Sequence, residues 1–240
     1  MTHKISVLIR SHNESKWIKN CISSLLNQTI VPDEICVLDN KSNDGTIEII
    51  KSLKKVKVFN YNKNYLPGKM LNYGISKTKG DYILVISAHC LPYDKFFLEK
   101  LINPLLNNKN ICASYSRQIP FSFSDPSTIR DLMLLYGSED KLQKNDPFFN
   151  NASSLIRRSA WKKNKFSNKT TNMEDRLWAN EQQKKNNFIF YSSKSIVYHH
   201  HGFHQDNNKQ RLINTSKAIL KNQKNFSLKI GRMNIKLKDF

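Results

Sequence analysis

The sequence predicts an α/β protein: a mostly parallel sheet flanked by helices. Three observations carry that prediction. Apolar and amphipathic stretches alternate four times within the first ~90 residues, the pattern of repeated βαβ units. Apolar runs at residues 5–9, 35–38 and 82–86 are continuous rather than alternating, as in strands buried on both faces. Polar residues gather where those runs end: Arg10 to Glu14, Asp39, and Ser87 to His89. In an open α/β sheet those ends share one crevice, which is where a nucleotide-like ligand sits.

The elements follow in order. Residues 5–9 form the first strand. Ile18, Cys21, Ile22, Leu25 and Leu26 fall at helical spacing and give an amphipathic helix, ended by Val31-Pro32-Asp33. Residues 34–39 form the second strand. Asn40 to Thr46 is a turn-rich loop in which Asn43 or Asp44 can cap the next helix, marked by Ile47, Ile50 and Leu53. Residues 56–59 form a third strand. Pro67-Gly68-Lys69 opens a helix carrying Met70, Leu71, Gly74 and Ile75. The stretch Gly80-Asp81-Tyr82-Ile83-Leu84-Val85-Ile86-Ser87-Ala88-His89-Cys90 is the central strand and its polar exit.

Beyond Pro92 a helix (Phe97, Leu98, Leu101, Ile102, Leu105) leads to a strand at 111–115. Residues 118–150 lack a clear period, with a short helix expected only at 132–136. A stretch this irregular inside a domain is often a substrate loop. Residues 150–161 read as a strand entering a helix. Met173-Glu174-Asp175-Arg176-Leu177-Trp178-Ala179 begins another helix, with both acids in its first turn, where the helix dipole favours them. Two short strands follow, at 188–191 and 195–198, the second running into His199-His200-His201. If that strand continues, His199 and His201 point to one side and His200 to the other.

Composition narrows the class. The chain has 240 residues, 39% of them hydrophobic, enough for a sizeable core. No apolar run approaches the roughly 20 residues that span a bilayer, and the first strand begins too early for a signal peptide, so a cytoplasmic location is expected. Cys21, Cys36, Cys90 and Cys112 show no CxxC spacing, which argues against a zinc knuckle or disulfide framework. No GxGxxG and no P-loop pattern occurs, which argues against a dinucleotide dehydrogenase and a P-loop NTPase. Lys and Arg number 39 against 19 Asp and Glu, a formal charge of +20. Most of the excess reads as bias toward Lys and Asn. The exception is residues 206–240, with nine Lys or Arg against two Asp, a tail able to rest on anionic lipid or to pack on the domain as a helix. Aromatics are not interleaved with the basic residues as a stacking platform requires, so no nucleic-acid partner is expected.

Four motifs in sequence, Val-Leu-Ile-Arg-Ser-His-Asn-Glu, Val-Leu-Asp-Asn-Lys-Ser-Asn-Asp-Gly-Thr, Gly-Asp-Tyr-Ile-Leu and Met-Glu-Asp-Arg-Leu-Trp-Ala, resemble the family 2 glycosyltransferases of the GT-A fold. The resemblance runs from residue 4 to about 205 and adds expectations. A GT-A domain would occupy residues 1–205, with a nucleotide-binding half at 1–92, an acceptor and catalytic half at 93–205 that includes a smaller mixed region, and a basic, helical tail at 206–240. The reaction would be inverting transfer of a sugar from a UDP-, dTDP- or GDP-sugar to a hydroxyl of a glycan or lipid-linked glycan. Arg10, Ser11, Asn13, Glu14, Asp39 and Ser87 would line the donor side, and Lys69 would lie near the phosphates. Residues 151–158 would form the acceptor wall. Asp175 would be the general base, with Glu174 supporting the acceptor.

One departure stands out. The family's Asp-x-Asp, which binds a divalent metal, is replaced by Ser87-Ala88-His89. A Mn²⁺ or Mg²⁺ site built from His89 and His201, with His199 near, would need diphosphate oxygens to complete it. Mg²⁺ prefers hard oxygen ligands, and Mn²⁺ tolerates nitrogen better. The rivals are a metal-independent site in which His, Arg and Lys bond the diphosphate, and a histidine tract without a role. A degenerate module that binds a nucleotide or glycan without turnover is the alternative function. The intact Glu174-Asp175 pair counts against it.

Overall fold

A computed structural model describes residues 3–145, 147–170, 172–201, 227–230 and 233–236. One nine-stranded sheet organises it, in the order β3-β2-β1-β4-β8-β6-β9-β5, with β7 also paired to β9. The first half supplies β1 (Ile5–Ser11), β2 (Glu34–Asp39), β3 (Val56–Asn60) and β4 (Tyr82–Ser87), all parallel. The order reverses between β1 and β4, the topological switch point of a doubly wound sheet. There Arg10 pairs in register with Ser87.

The second half extends the same sheet with mixed directions. A short β5 (Cys90–Pro92) follows β4, then β6 (Ile111–Pro120), β7 (Lys141–Gln143), β8 (Ser153–Arg157) and β9 (Phe188–His199). Strand β8 is antiparallel to both β4 and β6, while β6 and β9 run parallel. The β4–β8 pairing joins the two halves through backbone hydrogen bonds.

Helices cover both faces. The apolar stripe of α1 (Ile18–Leu26) buries Ile18, Cys21, Ile22 and Leu25. These pack with Ile50 of α2 (Thr46–Ser52) and with Phe97, Leu98 and Leu101 of α4 (Phe97–Asn107) in one core. The opposite core holds Met70, Leu71 and Ile75 of α3 (Pro67–Lys77), Trp161 of α6 (Arg158–Lys163) and Trp178 of α7 (Glu174–Gln183). The four thiols are buried and free.

Three expectations are corrected. The irregular stretch contains a longer helix than expected, α5 (Pro126–Leu135), started by Asp125, whose side chain accepts from the Thr128 N–H. Pro126 in the first turn is compatible with a helix because its missing N–H has no partner there anyway. The two strands expected near 188–198 are the single strand β9. Ser192 pairs with Ser116, but the next pair is Arg117 with Ile196, so three residues bulge out. Their polar groups find partners: Ser193 N and Oγ donate to Asp140, and Ser195 Oγ to the Phe97 carbonyl. The shift turns β9 over relative to β6: Ile189 and Tyr191 lie in the α3–α7 core and Val197 in the α1–α4 core. Lastly, the tail is not helical where it is described. Ser227–Ile230 (β10) and Met233–Lys236 (β11) form an antiparallel hairpin. The helix expected around Leu212 to Leu220 lies outside the described residues.

Candidate active site

The loops after β1 and β2 are laced into one rim. Asn13 sits at φ 55°, in the left-handed region that Asn tolerates. Its N–H donates to Ser42 Oγ and its Oδ1 accepts from the Asn43 N–H. The Glu14 N–H reaches Thr46 Oγ1, and the Ser15 N–H reaches Asp44. Asp44 also accepts from the Thr46 N–H. The residue preceding α2 is Gly45, at φ 88°, so Asp44 ties the two loops together from just outside the helix rather than acting as its cap.

Asp39 is buried, and its two oxygens accept from Ser42 N (3.0 Å) and Ser42 Oγ (2.5 Å). Its visible job is to hold this loop. His12 approaches the Asn40 carbonyl through Nδ1, at 2.6 Å. Ser11 is buried at the end of β1, and Lys69 is exposed on the first turn of α3.

Glu14 turns its side chain toward the central strand, not toward the rim. Its Oε1 lies 2.6 Å from His89 Nδ1. Burial pushes Glu14 up to about 7, against the opposing effect of His201 and His200. The parallel rings of His89 and His199 stack with centroids 5.3 Å apart, and His201 meets His89 edge-on at 4.7 Å. Burial and the neighbouring histidines push His199 well below the usual imidazole range, so it is neutral at pH 7. His200 turns away to pack on Trp17, at 4.9 Å, as the alternation of a strand requires. Trp17 in turn stacks on Phe121 and Phe123.

Among the described residues, no group of three His, Cys, Asp or Glu is arranged to hold a metal ion. The stacked His89 and His199 rings present faces to each other rather than converging nitrogens. The Glu14–His89 pair does have the form of a ligating imidazole steadied by a carboxylate. Among the described residues the protein alone therefore presents no complete metal site, and an ion at His89 would need ligands from outside the chain.

The second cluster is Glu174 and Asp175. Met173, at φ 63°, is a non-glycine residue held in the left-handed region, which costs about 1–3 kcal/mol. That turn aims the first residues of α7 at the ends of β1 and β4. Trp178 fixes the helix behind them, packed between Phe149 and Phe166 with its Nε1 donating to the Asn164 carbonyl. Glu174 is buried. Asp175 accepts from the Asn151 N–H at 3.2 Å and from the Arg176 N–H at 2.8 Å. Burial raises both carboxyls above the usual range, and Arg10 acts on both in the opposite direction.

Structure thus brings Arg10, Ser87, Glu174 and Asp175 together, with Glu14, His89, His199 and His201 as a neighbouring cluster. The sequence reading treated Asn151 as acceptor wall and missed its backbone link to Asp175. It also missed Trp17 as the partner of His200. No spacing signal in the chain marks either contact.

Fold and site together define a doubly wound α/β domain with its candidate site at the β1–β4 switch point. The model of Glycosyl transferase family 2 matches residues 6–165, and the chain belongs to that family. It is 25% identical over 169 residues, 66% of this chain, to the O-antigen chain rhamnosyltransferase RfbN of Salmonella typhimurium, and covers 54% of that protein. It is 34% identical over 99 residues, 38% of this chain and 31% of the relative, to a dolichyl N-acetyl-alpha-D-glucosaminyl phosphate 3-beta-D-2,3-diacetamido-2,3-dideoxy-beta-D-glucuronosyltransferase of Methanococcus voltae. The chain therefore spans about half the length of the first relative and about a third of the second. Its fold matches the mannosyltransferase PcManGT of Pyrobaculum calidifontis, solved with GDP-Man and Mn²⁺, with a TM-score of 0.68 at 15% identity, covering 92% of this chain and 65% of that one. It also matches S. aureus TarS 1-349 with UDP-GlcNAc, with a TM-score of 0.63 at 20% identity, covering 85% and 60%.

Proposed function

We propose that the protein is an inverting glycosyltransferase that moves a sugar from a nucleotide-sugar to a hydroxyl of a glycan or lipid-linked glycan. The observation that carries this reading is the Glu174–Asp175 pair, aimed by a left-handed turn into the crevice at the β1–β4 switch point. Asp175 takes the acceptor proton as the hydroxyl oxygen attacks the anomeric carbon from the face opposite the diphosphate. The carbon–oxygen bond to the diphosphate breaks as the new one forms, which inverts the anomeric centre. Its two backbone N–H donors keep Asp175 oriented, and Glu174 supports the acceptor.

The laced rim of Asn13, Asp39, Ser42 and Asp44 shapes the nucleoside side, and Lys69 lies toward the phosphates. A divalent cation, when bound, neutralises charge on the leaving diphosphate. His89 and His201 would be its nitrogen donors, a set that suits Mn²⁺ better than Mg²⁺. The names of the relatives support acceptors of the cell-envelope glycan type. RfbN is an O-antigen chain rhamnosyltransferase, and the Methanococcus voltae relative is named for a dolichyl phosphate-linked sugar.

Calorimetric titration with UDP, GDP, dTDP and CDP, each with Mn²⁺ and with EDTA, tests the donor assignment. One nucleotide is expected to bind, and more tightly with Mn²⁺. Binding unchanged by EDTA would move charge neutralisation onto protein side chains. Binding without turnover of the matching nucleotide-sugars would favour the degenerate module, and no binding to any nucleotide would overturn the proposal.

The basic tail adds a second expectation, peripheral contact with an anionic membrane at its inner face. No helix among the described residues is long and apolar enough to cross a bilayer. Flotation with vesicles containing anionic phospholipid should carry the full chain upward and leave a chain lacking residues 206–240 behind. Equal behaviour of the two removes the membrane claim.

A further inference from the structure

Arg10 ends β1 beside Ser87 of β4, and its Nη2 donates to Ser87 Oγ (2.9 Å) and to the Asn151 carbonyl (3.2 Å). The N–H of the same Asn151 donates to Asp175 Oδ2 (3.2 Å). Asn151 is therefore gripped from both ends, by a guanidinium on its carbonyl and by the carboxylate on its amide. Further bonds leave that backbone little freedom: Ser154 Oγ donates to Asn151 Oδ1, and the Ser87 N–H to the Ala152 carbonyl. Asn151 itself is 1% exposed.

We infer that Arg10 is a positioning residue for Asp175: anchored by Ser87, it fixes the Asn151 backbone that orients the carboxylate and sets a positive charge beside the Glu174–Asp175 pair. This rests on the transferase reading of Asp175. It also takes Arg10 and Ser87 out of the donor pocket, where the family resemblance places them.

The surroundings of the pair give that charge a purpose. Asp175 faces Glu174 from its own helix, Tyr136 from beyond α5 and Arg10 from β1. Burial disfavours its charged form, as does Glu174 when that carboxyl is ionised. Arg10 and the two backbone N–H donors favour it. A base must be ionised to accept a proton, so Arg10 lowers the pH at which Asp175 becomes competent. A guanidinium suits the task because it stays charged and the two N–H bonds of its Nη2 reach one acceptor each.

The test compares wild type, Arg10→Gln and Arg10→Lys by kinetics across pH, by nucleotide calorimetry, and by titration of ¹³C-labelled Asp and Glu carboxyls. In Arg10→Gln, kcat is expected to fall about 10²-fold, the scale of a misplaced catalytic group. The acidic limb of its pH profile moves upward, and nucleotide affinity stays within about twofold of wild type. Arg10→Lys should return the limb toward its wild-type position. A tenfold loss of nucleotide affinity with the kcat profile unmoved would overturn the inference and make Arg10 a donor contact.

The carboxyl titration needs no turnover. If no donor is used even by wild type, the transferase reading fails, while an upward carboxyl shift in Arg10→Gln still supports the Arg10–Asp175 link and no shift overturns it. If Arg10→Gln does not fold, Ser87→Ala serves: a lower kcat with unchanged nucleotide affinity supports the link, and wild-type kinetics at every pH overturn it.

Discussion

Replacing Asp175 with Asn is expected to lower kcat by about 10³-fold, within the range that a positioned general base contributes. Asparagine keeps the shape of the side chain but only one acceptor oxygen, so one of the two bonds from the Asn151 and Arg176 N–H groups, which reach different oxygens, is lost; the variant should still fold and bind nucleotide. What it loses is the ability to take a proton from the acceptor hydroxyl. The pH dependence gives a second signature. Burial raises Asp175, so the base is protonated and inactive at low pH, and kcat rises as pH climbs through an upward-shifted limb. That limb should vanish in Asp175→Asn. Transfer persisting undiminished, with the limb intact, would assign the base elsewhere.

The second large effect is on stability. Gly80 precedes β4 and lies against the start of β1. A Cβ there would fall 2.5 Å from Ser6 N, 2.7 Å from Ser6 Oγ and 2.9 Å from the Ile5 carbonyl carbon. Two of those three atoms are backbone in a central strand, so no rotamer change relieves the clash, and the Gly80 N–H bond to Ser6 Oγ would be lost as well. Gly80→Ala should cost about 3 kcal/mol, lowering Tm by about 6–12 °C for a protein of this size. Gly74→Ala makes the contrast. Its Cβ meets the methyl tips of Leu8 and Leu38, which can turn aside, so a smaller loss is expected. Thermal unfolding of both variants decides it, and equal Tm values would refute the argument.

The parallel half of the fold was legible because its signals are local. Residues 82–86 form an uninterrupted apolar strand, and Ile18 to Leu25 repeat at helical spacing, so each segment declares its own burial. The acidic pair at 174–175 was legible for a similar reason, since two adjacent acids before Trp178 and Ala179 form a compact motif. What escaped the sequence depends on chain segments meeting from afar. Strand β9 looked like two strands because Ser192 to Ser195 is polar, and only the distant Asp140 and Phe97 explain how that polar stretch stays in the sheet. Asp39 reads from sequence as a ligand to the nucleoside, but no local signal marks its second task of holding Ser42 through both oxygens. Glu14 reads as part of the donor side, and nothing near it in sequence shows that its carboxylate meets His89, 75 positions away. Asn151 acts through its backbone, for which side-chain identity is a poor guide.

The bulge in β9 also separates chain length from side-chain direction. Three extra residues put His199 on the opposite face from the one an unbroken ladder would give it. Beyond them the faces are fixed by the pairing of Arg117 with Ile196, so a residue added or removed among 193–195 changes the size of the bulge and leaves the histidines in place. A one-residue slip of the pairing after Arg117 would instead exchange His200 with its two neighbours, bringing His200 toward His89 and turning His199 and His201 toward Trp17. The bulge is therefore a place where this chain can change length without moving its histidines.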